Sequence, residues 1–103
     1  RAELDQEFVL RFAERLRRLS PGCPPGTETE IADLACLKYS GRVVRTAAAK
    51  VLDEQSIRLA VTAHIRHVET PYDQLLAQGY ERYDARRQVE DAVRSVLDAW
   101  EGT

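Results

Sequence analysis

Apolar residues recur at three- and four-residue intervals over most of the chain, the spacing that gives a helix one apolar face. Leu4, Phe8, Phe12, Leu16 and Leu19 form the first series, with Glu3, Glu7, Arg11, Glu14, Arg17 and Arg18 between them, and predict a helix over residues 3–18. Ser20-Pro21-Gly22-Cys23-Pro24-Pro25-Gly26 ends it. Each proline lacks an N–H and disfavours helix in the residue before it, so this loop is expected to be stiff. Thr27 and Glu30 stand at capping-box spacing and open a second helix over 28–39. Its Ile31, Ala32, Leu34, Ala35, Cys36 and Leu37 are apolar on nearly every side, as in a helix enclosed by its neighbours.

Val43, Val44, Ala47, Ala48 and Val51 give a short third helical face, aided by the helix propensity of the alanines. Asp53 caps a fourth helix in which Ile57, Ala60, Val61, His64, Ile65 and Val68 share one side, and Thr70-Pro71 stops it. A short fifth helix over 72–78 closes at Gly79. In the last helix Ala85, Val89, Ala92, Val93, Val96, Leu97 and Trp100 trace an apolar stripe opposite Arg87, Glu90, Asp91, Arg94 and Asp98, with Asp84 as the expected N-cap. No segment shows two-residue alternation or a hairpin turn, which excludes a sheet. The pattern predicts an all-α orthogonal bundle of five to six helices in one compact domain over 1–103. The fourth and last helices form its scaffold, and the first packs across them.

The 103-residue length suits a single core. Apolar content of 44% and charged content of 31% argue against disorder. No apolar run approaches the roughly 20 residues that span a bilayer. The first residues carry charge of both signs and no signal-peptide core, and the chain begins without methionine, as a piece trimmed from a longer protein would. Two cysteines, Cys23 and Cys36, are too few for a disulfide scaffold and lack metal or redox spacing, so reduced thiols in the cytoplasm are expected. Net charge is only −2, but its distribution is uneven. Residues 1–33 carry five positive and seven negative side chains, residues 34–68 six and two, and residues 69–103 four and eight. The middle third is the basic part of an otherwise acidic chain.

Two features of that middle third are candidates for chemistry. Lys38, Arg42, Arg45, Lys50, Arg58 and Arg66 would bind phosphates if they converge on one face, and would instead pair with the acidic end helices if they do not. His64 and His67, three apart on a helix, offer two imidazoles to one side. A metal would need further ligands, and Cys23, Cys36, Glu69 or Asp73 would have to supply them. His64 lies in the apolar stripe and reads as a satisfied core histidine, whereas His67 at the stripe's edge suits a surface role. Ser20, Thr27, Ser40, Thr46 and Cys23 all have loop, cap or helix explanations, and the glycines make no phosphate-cradling motif.

The runs Ser40-Gly41-Arg42-Val43-Val44-Arg45-Thr46-Ala47, Ala60-Val61-Thr62-Ala63-His64-Ile65-Arg66-His67 and Thr70-Pro71-Tyr72-Asp73-Gln74-Leu75-Leu76, then Ala85-Arg86-Arg87 through Trp100, resemble a bacterial family of unknown function, domain of unknown function 2293. Pro21-Gly22-Cys23-Pro24 is similar to that family's first loop, and the resemblance extends from Phe12 to Trp100. Val44 stands where the family's Gly-Arg-Val-Gly-Arg form has its second glycine. The resemblance implies no activity, cofactor or catalytic residue.

The expected function is that of a non-catalytic module without a cofactor. It contacts nucleic acid or another phosphate-bearing partner through Arg42, Arg45, Lys50, Arg66 and His67. A protein-interaction or self-association domain is the first alternative. A small metal or catalytic site around His64, His67 and Asp73 is the second.

Overall fold

The computed structural model describes the backbone of residues 2–39 and 52–102 and the side chains of residues 6–36 and 52–102. These residues form five helices and no strand: α1 (Ala2–Leu19), α2 (Thr27–Tyr39), α3 (Glu54–Val68), α4 (Tyr72–Ala77) and α5 (Arg82–Glu101). The helix expected over Val43–Val51, and with it Arg42, Arg45 and Lys50, lies outside the described residues.

The apolar periodicities become the core with few exceptions. Phe12 and Leu16 of α1, Ile31, Ala32 and Cys36 of α2, Ile57, Val61 and Ile65 of α3, Tyr72 of α4, and Ala85, Val89, Val93 and Trp100 of α5 are all buried in one cluster. Each large member contributes about 1.5–3 kcal/mol of transfer free energy. Helix α3 is the central element, packing against α1, α2, α4 and α5, while α1 lies mainly on α2. The first helix thus rests on α2 and α3 rather than across α3 and α5 as a joint scaffold.

Other departures have local causes. Helix α5 starts earlier than Asp84 because Glu81 is its N-cap, accepting from the Tyr83 and Asp84 N–H groups at 2.9 and 3.2 Å. Leu34 is 62% exposed, so α2 is not enclosed on every side. Ala92 is exposed, leaving a narrower stripe on α5 than its sequence suggested. Val68, at the last turn of α3, is exposed at 59%.

The proline loop is held at both flanks. The Arg17 guanidinium donates to the carbonyls of Pro21, Cys23 and Pro24 at 3.0, 2.8 and 3.2 Å and pairs with Glu28 at 2.5 Å. Glu28 also accepts from the Gly26 N–H at 3.1 Å, so Glu28 ties the first turn of α2 to the loop, while Thr27, the expected cap, is the first residue inside the helix. On the other flank Gly22 N–H donates to the Trp100 carbonyl at 2.7 Å, satisfying an acceptor that the end of α5 leaves open. A Cβ on Gly22 would stand 2.7 Å from the Ala99 oxygen and 3.0 Å from that of Trp100, so only glycine allows this approach.

Replacing Gly22 with alanine is therefore expected to destabilise the fold by about 1–3 kcal/mol, the usual cost of forced overpacking. Urea denaturation measures it, and a loss under about 0.5 kcal/mol would show that the α1–α2 loop and the end of α5 separate freely.

Candidate functional site

The buried stripe of α3 fixes what lies beside it. Ile57, Val61 and Ile65 face the core at four-residue spacing, so the residues one position on, Arg58, Thr62 and Arg66, form a parallel row along the flank. On α5 the residues following Ala85, Val89 and Val93 are Arg86, Glu90 and Arg94. The two helices run antiparallel. Arg58 at the start of α3 pairs with Glu101 at the end of α5 at 3.5 Å, and Arg66 near the end of α3 feels the charge of Arg86 near the start of α5. The two rows consequently face one another across an open cleft of about 570 Å³, whose lining includes Arg58, Arg66, Arg86, Arg87 and Arg94 together with Tyr83, Glu90, Asp98 and Glu101.

Charge is not balanced along this cleft. At one end Arg58 is neutralised by Glu54 at 3.2 Å and Glu101 at 3.5 Å. At the other, Arg66, Arg86 and Arg87 enter no ion pair among the described residues. Burial, and then the like charge of Arg86, pull the Arg66 guanidinium below its ordinary value, although it remains cationic at neutral pH. The partial compensation is Tyr72, whose buried ring lies 5.7 Å from the Arg66 guanidinium carbon. Arg66 is thus a half-buried cation held beside a second cation, without a carboxylate.

The histidines separate. His64 is half-buried with its ring 6.2 Å from that of Trp100, consistent with packing. His67 is exposed, stands T-shaped to the Tyr72 ring with centroids 5.3 Å apart, and places Nδ1 2.7 Å from the Asp73 carboxylate. That contact ties the end of α3 to the start of α4, reinforced by Thr70, whose hydroxyl donates to the Arg66 carbonyl and accepts from the Tyr72 N–H at 3.2 Å. Among the described residues no three His, Cys, Asp or Glu side chains cluster as a metal site would require.

Of the residues singled out for phosphate binding, Arg66 lies in the cleft and His67 lies at the α3–α4 turn beside it. Arg86, Arg87 and Arg94 were missed because they belong to the most acidic third of the sequence. Their signal was positional, each lying one or two residues beyond a buried stripe residue of α5. The arginines of α1 behave differently: Arg11 and Arg18 pair with Glu7 and Glu14 at 3.2 and 3.6 Å, and Arg17 with Glu28. Cys23 is buried at the proline loop, where burial pushes its thiol up, and neither Cys23 nor Cys36 is in a disulfide. Among the described residues no helix is long and apolar enough to cross a membrane.

Fold and cleft together define a small all-helical protein with a cationic groove between its central and last helices. The family described as Uncharacterized conserved protein (DUF2293) matches residues 15–101, and the chain belongs to that family. Comparison with curated proteins and with solved structures gives no match.

Two outcomes follow from these charges. Arg86→Gln removes a like charge facing Arg66 and is expected to raise stability by a few tenths of a kcal/mol, read by thermal denaturation; a decrease would mean that Arg86 has a stabilising partner. The Arg17 hydrogen bond holds the Glu28 carboxyl below its ordinary value. A depressed folded-state value stabilises above the unfolded-state pKa, about 4.3 for Glu, and that contribution fades as pH falls through the folded value. The stability gap between wild type and Glu28→Gln should be full at neutral pH and shrink in acid below about pH 4.3, and a gap independent of pH would contradict the pairing.

Proposed function

We propose that this protein is a non-catalytic binding module that engages the phosphates of a nucleic acid through the α3–α5 cleft. The observation carrying the proposal is Arg66, half-buried beside Arg86 and Arg87, with no carboxylate paired to any of the three among the described residues. Keeping cations together without counter-charge costs stability. A phosphate placed between them would relieve that repulsion and accept the planar donor fork that arginine presents. Arg42, Arg45 and Lys50 remain part of the proposal as further contacts, and His67 is a neighbour of the cleft that joins it on release from Asp73.

The net charge of −2 argues against strong long-range attraction, so binding rests on the local cluster. Affinity for an unselected sequence should fall in the micromolar range or weaker at physiological salt. Three phosphate contacts on a single strand would lower affinity about 20-fold between 50 and 200 mM salt. A salt titration against generic DNA and RNA measures this, and Arg66→Gln should reduce the slope by about one contact. Lack of binding at low salt ends the proposal.

Self-association is the second reading, in which exposed apolar side chains such as Leu10 and Leu59 would be covered by a second copy. Light scattering across concentrations tests it, and a strict monomer opposes it.

A further inference from the structure

The cleft carries one feature that phosphate binding alone does not use. Tyr83 is 65% exposed, the most exposed large apolar side chain among the described residues. It lines the cleft in the first turn of α5, and its backbone N–H is held by the Glu81 carboxylate at 2.9 Å. Arg86 and Arg87 follow at three and four residues, the spacing that puts side chains on the same side of a helix. Arg66 faces them from α3. One turn of helix, about 5 Å of axis, therefore offers a solvent-facing aromatic ring and a group of unpaired guanidiniums.

Building on the phosphate-binding reading above, we infer that the ligand of this cleft is a single-stranded nucleic acid, with a base stacked on Tyr83 and its flanking phosphates held by Arg66, Arg86 and Arg87. Aromatic stacking beside a short cationic track is the arrangement that recognises single strands without regard to sequence. A duplex fits less well for two reasons. Its base faces are already stacked, so Tyr83 gains nothing. Its two phosphate rows also cover a broad surface, which on α5 would reach past the cleft to the exposed Glu81, Asp84 and Asp91. A single row of phosphates follows the arginines within the cleft, where, among the described residues, Glu90 is the one carboxylate next to them in the lining of that end, and avoids Glu81, Asp84 and Asp91.

Fluorescence anisotropy with a short labelled single strand, and with the same strand in a duplex, tests the inference on wild type, Tyr83→Leu, Tyr83→Phe and Arg86→Gln. Wild type should prefer the single strand. Tyr83→Leu should weaken binding roughly 5- to 150-fold with an unchanged salt slope, and Tyr83→Phe, which keeps the ring, should stay near wild type. Arg86→Gln should weaken binding and lower the salt slope by about one contact. A preference for duplex, or equal affinity of Tyr83→Leu and wild type, overturns the single-strand inference while leaving phosphate binding standing. Absence of binding to either probe at low salt overturns both.

Discussion

The burial of Ile57, Val61 and Ile65 along one side of α3 is the constraint on which the remaining structure depends. These three side chains are at most 1% exposed, and four other helices pack around the element that carries them. Once that stripe is committed to the core, the helical repeat leaves no freedom for its neighbours. Arg58, Thr62 and Arg66 must emerge together on the flank, and the matching commitment of Val89 and Val93 brings the arginines of α5 opposite them. The cleft is a by-product of packing that needs no irregular backbone: no described non-glycine residue has positive φ.

The same geometry explains why charge is tolerated unevenly. At the α3 start the chain closes the groove with the Arg58–Glu101 pair. Near the α3 end the Arg66 guanidinium rests against the Tyr72 ring, with Arg86 opposing it. Cation–ring contact offsets part of the repulsion but does not neutralise it. Conflict of this kind between local stability and charge placement is expected where a protein keeps residues for binding. Arg17 shows the contrary use of a guanidinium: its donors go to loop carbonyls and Glu28, so its charge serves the fold.

Much of this was legible in the sequence. The 3.6-residue periodicity located α1, α3 and α5, the capping and stop residues located α2 and the short α4, and the burial of Ile65 followed from its place in the stripe, whereas His64 is only half-buried against the Trp100 ring. Sequence failed where partners are distant in the chain. Gly22 and Trp100, or Arg17 and its loop carbonyls, meet only through the tertiary arrangement. Charge summed over thirds of the chain pointed to the middle segment and hid Arg86 and Arg87, since a helix sorts its charges by face and not by segment. The antiparallel meeting of α3 and α5 was the missing piece.

Chemical-shift mapping by NMR, with the protein titrated against a short single-stranded oligonucleotide at low salt, tests the central claim most directly. Perturbations are predicted to concentrate at Thr62, Arg66, Tyr83, Arg86 and Arg87 on the facing flanks of α3 and α5. Shifts confined to α1 and α2, or no shifts at saturating oligonucleotide, would contradict the assignment of the cleft as the binding surface.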